Sequence, residues 1–159
     1  MSASAIYYID SPLGKLLARF ENELLEKLEF SETLGKNTSS VPVYVSIIEK
    51  QVKSYFEGKI QDFNIPYNLK GTNFQKTVWN KLLEIPYGKT ISYGKLAALL
   101  GNPRKIRAVA NAIGKNPLPI IIPCHRVVGK NGELTGYLGG LRRKKQLLEL
   151  EGFKQLQLF

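Results

Sequence analysis

The chain has a single cysteine, Cys124, and a single histidine, His125, adjacent in sequence. One cysteine excludes an intramolecular disulfide, and one cysteine with one histidine cannot assemble a Cys/His metal cluster. No metal and no cofactor is therefore expected. No apolar run approaches the roughly 20 residues of a membrane span, and the N-terminus lacks a charged-then-apolar signal pattern. The expectation is an intracellular protein, cytoplasmic, or nuclear in a eukaryote, with no membrane partner. Acidic residues are also few: 13 Asp and Glu stand against 23 Lys and Arg, a net charge of +10. Such an excess favours a polyanionic partner through phosphate neutralisation and counterion release. At 159 residues with 43% hydrophobic content, there is enough chain for one average domain or two small ones.

Short apolar runs separated by turns, Ile6 to Ile9, Leu16 to Phe20 and Leu24 to Phe30, predict a small antiparallel sheet. Gly35 to Ser40 reads as a loop. Tyr44, Ile47, Ile48, Val52, Tyr55 and Phe56 fall at helical spacing, and Gly58 stops that run. This first region holds no candidate chemistry and reads as a scaffold domain over 1–65, followed by a linker over 66–73.

A second domain, 74–159, is predicted to be mainly helical. Phe74, Val78, Leu82 and Ile85 form a stripe behind a Thr72/Asn73 cap. Ser92 caps a helix through about Leu100. Gly101-Asn102-Pro103 is then a short turn in which Asn102 is a good N-cap and Pro103 a good first helical residue, so a second helix runs to about Gly114. Its inner stripe is Ile106, Val109, Ala110 and Ile113, while Arg104, Arg107, Ala108, Asn111 and Lys115 share the outer side. Two such helices read either as a helix-turn-helix that enters a DNA groove or as an ordinary helical hairpin. The small Ala108 and Ala112 favour close backbone approach over base reading by long polar side chains.

Gly129-Lys130-Asn131-Gly132 signals a hairpin between Val127-Val128 and Leu134 to Tyr137. Gly136 to Gly140 is a flexible loop. A last helix from Leu141 to Glu151 carries Arg142, Arg143, Lys144 and Lys145 at its start, the wrong end for cations in the helix dipole, and so reads as a basic surface.

The chemistry centres on Pro123-Cys124-His125-Arg126. A thiolate is the nucleophile, and a neighbouring base or cation is needed to bring the thiol below its usual value of about 8.5. His125 and Arg126 both qualify. On an extended segment His125 would point away from Cys124, so a sharp turn or a bridging water must connect them. Alternatively, Cys124 is a small buried hydrophobe following an isoleucine run.

Pro-Cys-His-Arg-Val also resembles the active-site signature of the methylated-DNA protein-cysteine methyltransferases, or O6-alkylguanine-DNA alkyltransferases. The resemblance runs from about Val45 to Gly152, through Gly71-Thr72-Asn73-Phe74-Gln75, Ile85-Pro86-Tyr87-Gly88, Ser92-Tyr93-Gly94 and Gly114-Lys115-Asn116-Pro117. It implies a cofactor-free, single-turnover DNA repair protein, a monomer on double-stranded DNA, that moves the alkyl group of O6-alkylguanine, and of O4-alkylthymine, onto Cys124 after flipping the nucleotide.

The same resemblance assigns roles to particular residues. Glu151 matches the carboxylate that orients the histidine, Tyr93 the tyrosine that donates to the base, and Asn116 the hinge. Arg107 matches the arginine that fills the gap in the minor groove, with Arg104, Tyr93, Ala108, Asn111, Lys115 and Arg126 as further DNA contacts. Val127, Tyr137, Leu138 and Gly139 line the base pocket. Leu138 departs from the small Ser or Ala usual there, which predicts poorer acceptance of benzyl than of methyl.

The fold class is therefore α+β, a small antiparallel sheet with a helix followed by a mainly helical domain bearing the helix-turn-helix and the Pro-Cys-His-Arg segment. A non-catalytic damage binder and a cysteine hydrolase remain as alternatives.

Overall fold

Strict alternation in Leu16-Leu17-Ala18-Arg19-Phe20 puts Leu16, Ala18 and Phe20 on one face, and all three are buried while Arg19 is exposed. This strand is the centre of a three-stranded sheet. In the computed structural model, which describes residues 3–33 and 35–153, β1 (Ser4–Ile9), β2 (Leu16–Glu21) and β3 (Leu24–Phe30) form it in sequence order, antiparallel throughout. The register of β2 on β3 shifts between Arg19 and Phe20.

Helix α1 (Val43–Phe56) packs on the sheet through edge-on contacts of Tyr44 with Phe20 and Tyr7. Its buried stripe is Val45, Ile48, Val52 and Tyr55, so Val45 replaces Ile47, which is half-exposed, in the predicted stripe. Gly58 ends the helix at φ +75, a conformation open to glycine at little cost.

The chain divides into two compact units, Met1–Lys70 and Gly71–Phe159. That boundary falls inside the predicted 66–73 linker, of which Pro66 to Asn68 belongs structurally to the sheet. Leu25 N–H donates to Pro66 O at 3.2 Å and Asn68 N–H to Leu25 O at 2.9 Å. Residues 154–159, the end of the predicted second domain, lie outside the described residues.

The second unit begins with α2 (Asn73–Leu82), closed by a reciprocal cap. Gln75 N–H donates to Thr72 Oγ1 at 3.1 Å, and Thr72 N–H donates back to Gln75 Oε1 at 2.9 Å. Strand β4 (Ile91–Ser92) leads into α3 (Tyr93–Leu99), whose first turn is capped by Ser92. A 3-10 turn, Pro103–Lys105, capped by Asn102, then runs into α4 (Ile106–Gly114).

The buried residues of α4 are Val109, Ala112 and Ile113, while Ile106, predicted to be inside, is 42% exposed. Ala112, predicted as a small surface residue, is buried, and its carbonyl accepts from Trp79 Nε1 at 2.8 Å.

The Gly129–Gly132 turn forms, with Gly129 N–H on Glu133 O at 2.8 Å. It does not join Val127-Val128 to a strand over Leu134 to Tyr137 as predicted: β5 (Val127–Val128) pairs in parallel with β4, Ile91 beside Val127 and Ser92 beside Val128. This non-local pairing sets the start of α3 against the Pro-Cys-His-Arg segment. Helix α5 (Leu141–Leu150) closes the unit, Leu148 packing with Val128 and Leu134. No helix among the described residues is long and apolar enough to cross a membrane.

Candidate active site

The isoleucine run before Cys124 is not a strand. Ile120 takes φ +76, a strained value for a β-branched residue. Ile122 N–H donates to Leu118 O at 2.8 Å, and Cys124 N–H donates to Ile122 O at 2.7 Å across Pro123 at φ −79, ψ 62, an inverse γ-turn. Cys124–Arg126 then forms a single 3-10 turn. Two successive tight turns thus replace the extended backbone that would have pointed His125 away from the thiol.

Asn116 fixes the loop from within. Buried after α4, it donates through Nδ2 to Ile122 O at 2.8 Å and accepts from Leu118 N–H at 3.0 Å. The end of the exposed helix and the turn carrying the nucleophile are thereby tied together.

His125 is fully buried, with Nε2 2.8 Å from Glu151 Oε2. Burial holds the imidazole below its usual value, and the Glu151 carboxylate raises it only in part, so the ring is neutral. A carboxylate partner places the proton of a neutral ring on Nε2 and leaves Nδ1 an acceptor. Nδ1 is buried and has no hydrogen-bond partner among the described residues.

Glu151 also binds Arg126 through Nε at 2.8 Å and Nη2 at 3.0 Å, and Arg126 Nη1 donates to Ile85 O at 2.6 Å. Arg126, expected at DNA, is therefore buried and occupied as a counterion.

Cys124 is buried too, and burial pushes its thiol up, opposed by a hydrogen bond from Asn116 and by the charge of Lys144. It opens on a narrow cavity of about 20 Å³ walled by Ile113, Asn116, Pro119, Cys124, Tyr137 and Leu138, among others. Leu138 is 77% exposed at the mouth, and Tyr137 Oη is buried without a hydrogen-bond partner among the described residues. Val127 and Gly139, expected in the same wall, lie outside it.

Tyr93, at the start of α3, donates to Thr135 O at 3.0 Å and lies 3.4 Å from Gly136 O, on the loop that leads to Tyr137. Arg104, Arg107, Ala108, Asn111 and Lys115 are all exposed on the helix-turn-helix. A larger cavity of about 450 Å³ lies in the first unit between Ile9, Pro12, Lys53 and Phe56, but holds neither thiol nor imidazole.

Residues 73–153 match the family model described as 6-O-methylguanine DNA methyltransferase, DNA binding domain. The methylated-DNA protein-cysteine methyltransferase of Methanosarcina acetivorans is 43% identical over 156 residues, covering 92% of this chain and 99% of its own. The chain belongs to this family.

The methylated-DNA protein-cysteine methyltransferase of Mycobacterium tuberculosis is 44% identical, covering 90% of this chain and 89% of its own. The solved structure of the Mycobacterium tuberculosis OGT in complex with DNA superposes with a TM-score of 0.83 at 44% identity, over 92% of this chain and 91% of that one. A hyperthermophile methyltransferase from Pyrococcus kodakaraensis, at 24% identity and a TM-score of 0.70, shares the fold. As a methylated-DNA protein-cysteine methyltransferase, the chain is an enzyme of DNA repair with DNA as its partner. The mixed α+β architecture read from the sequence is that of these structures.

One buried residue of this methyltransferase was missed. Lys144, predicted as part of a basic surface, is 0% exposed. Its sequence signal was its position, three residues after Leu141 and three and four before Leu147 and Leu148, on the apolar stripe of α5.

Proposed function

We propose that this protein repairs alkylated DNA by moving the alkyl group of O6-alkylguanine, and of O4-alkylthymine, irreversibly onto Cys124 after the nucleotide is flipped out of the duplex. The observation that carries this reading is the buried thiol at a narrow cavity, beside a neutral histidine held by Glu151 and tied through Asn116 to an exposed basic helix.

In the transfer, Cys124 Sγ attacks the alkyl carbon. The new S–C bond forms as the C–O6 bond breaks, and the bonding pair leaves on guanine, which takes up a proton. The thiol proton passes to His125 Nδ1 through a water, with Glu151 holding the ring, the base-plus-orienter logic of cysteine nucleophiles. Tyr93 donates a hydrogen bond to the departing base and helps rotate the nucleotide.

Flipping is required because a stacked base cannot present its alkyl carbon to a pocket, and unpairing a damaged base costs only a few kcal/mol. Arg107 fills the vacated position in the minor groove, where Ala108 lets the helix approach closely and degenerate readout suits a lesion found in any sequence. Arg104, Asn111 and Lys115 hold flanking phosphates, and Asn116 is the hinge between helix and nucleophile. The backbone beside Cys124 and Leu138 holds the guanine edge, with Tyr137 completing the pocket. The thioether has no second thiol to resolve it, so each molecule acts once, as a monomer and without cofactor or metal, wherever the cell keeps its DNA, in the cytoplasm or a nucleus.

The test is incubation with duplex DNA containing O6-methylguanine, followed by intact mass measurement and digestion. A single methyl on the Cys124 peptide, saturating at one per protein and absent in Cys124→Ala, is expected. Tight binding without a mass change makes the protein a damage binder, and repeated turnover on esters makes it a hydrolase.

A further inference from the structure

The ammonium group of Lys144 is enclosed by the backbone of two segments that meet at the nucleophile. It donates to Val127 O at 2.6 Å, on the strand leaving the Cys124 turn, and to Thr135 O at 2.8 Å, and it reaches Gly136 O at 3.4 Å, on the loop that carries Tyr137 and Leu138. Three acceptors match the three donors of a charged lysine, whereas a neutral amine has two. No carboxylate among the described residues neutralises it, which is costly for a buried cation and calls for a return elsewhere.

The groups that face it show what the return is. From α3 comes the Tyr93 ring, 5.7 Å from Nζ, and the Val127 carbonyl that Nζ holds directly follows the Cys124–Arg126 turn, which brings the charge close enough to work against the burial that raises the Cys124 thiol. Arg126, the buried cation of that turn itself, is already occupied by Glu151. Lys144 is thus the cation available to the thiol.

Thr135 O and Gly136 O, which Lys144 holds, are also the groups that receive the Tyr93 hydroxyl. If Tyr93 turns to a bound base, Lys144 keeps those carbonyls satisfied and the loop in place.

We infer that Lys144 is a positioning residue for the transfer: it pins the loop covering the pocket to the strand that follows the nucleophile, and it is the counterion of the Cys124 thiolate. Burial lowers Lys144 to about 8, and the Cys124 charge works against that lowering, as a counterion pair requires. The inference rests on the alkyl-transfer reading for its substrate, but its first readout needs no DNA.

That readout is the rate of Cys124 alkylation by iodoacetamide against pH in the full chain, compared among wild type, Lys144→Met and Lys144→Arg. Lys144→Met is expected to move the midpoint of the profile up by about one pH unit or more, because the thiolate loses its counterion. Lys144→Arg keeps the charge and restores the midpoint at least in part. The same variants are then given duplex DNA with O6-methylguanine. Lys144→Met should transfer methyl at least about tenfold more slowly at neutral pH, one unit of thiolate depletion, while its affinity for undamaged duplex stays within about twofold of wild type.

A midpoint unchanged in Lys144→Met overturns the counterion role, whatever the DNA assay shows. If Lys144→Met does not fold, Lys144→Gln takes its place: a midpoint that stays at the wild-type value in Gln overturns the counterion role, and one that rises in Gln and returns in Arg upholds it. A shifted midpoint in a protein that takes up no methyl from DNA leaves the counterion role standing and removes the alkyl-transfer reading instead.

Discussion

Glu151 Oε2 lies 2.8 Å from His125 Nε2 while the same carboxylate is gripped by Arg126 through two further bonds of 2.8 and 3.0 Å. One acid thus neutralises a buried guanidinium and orients a neutral imidazole, and its charge is committed to the first task. Gly88 N–H, at 3.3 Å from Oε1, adds a backbone donor. Glu151→Gln leaves Arg126 buried with its charge unpaired, which costs about 3–5 kcal/mol. For a unit of this size that is a fall of roughly 10 °C or more in melting temperature. Thermal denaturation checks it; a drop of under about 3 °C rejects the account of Arg126 as a buried counterion.

His125 makes stability depend on pH in a stated direction. Burial depresses its folded value below the usual 6.5, so between the two values the unfolded chain binds the proton and the folded chain does not. The contribution is therefore fully present above the unfolded value and is lost as pH falls through the folded one. Denaturant titrations of wild type and His125→Gln at several pH values from neutrality to about 5 isolate the effect, since Gln cannot protonate. Wild type should lose more stability than the variant across that range. Parallel losses in the two proteins mean that His125 is not held neutral.

What the sequence disclosed about this methyltransferase was local. The apolar run of β2, the cap at Thr72, Ser92 before α3 and Asn102-Pro103 before the next turn each rest on residues within one turn of one another. What stayed hidden depends on partners far along the chain. Arg126 reads as a DNA contact until Glu151, 25 residues later, is seen to bind it. Val127-Val128 reads as half of a hairpin until Ile91-Ser92 takes the pairing. Lys144 reads as solvated because a cation on an apolar stripe is rarely buried unpaired, and only the carbonyls of Val127 and Thr135 make it tolerable. Ile106 failed for a local reason. It is the first residue of α4, straight after the exposed Pro103–Lys105 turn, so the buried row that it begins is covered only from Val109 onward.

Arg107 tests the DNA geometry. It is exposed on α4 beside Ala108, and a gap-filling arginine has a different signature from a phosphate contact. Arg107→Ala and Arg107→Lys are compared for duplex affinity against salt and for methyl transfer. A phosphate contact predicts that Lys retains affinity and transfer while Ala loses about one unit of salt slope. A gap-filling role predicts that both variants slow transfer from duplex DNA much more than they weaken binding. It also predicts that transfer from single-stranded DNA, where no gap opens, is little affected.

Leu138 tests the pocket. The cavity at Cys124 is about 20 Å³, and Leu138 forms part of its wall while standing 77% exposed at the mouth. A branched side chain there obstructs a benzyl ring but leaves room for a methyl group, since the ring must lie along the wall to bring its attached carbon to the thiol. Wild type should therefore accept methyl faster than benzyl from the free modified base or from DNA, and Leu138→Ser should raise the benzyl rate roughly 10-fold or more. That magnitude corresponds to relieving one close contact worth about 1–3 kcal/mol in an overpacked site. Because Leu138 is mostly exposed, the substitution should leave the melting temperature nearly unchanged. Equal rates for the two alkyl groups in wild type show that the loop bearing Leu138 moves aside on binding. The pocket would then be shaped by Tyr137 and Pro119, whose positions the Asn116 and Lys144 bonds fix.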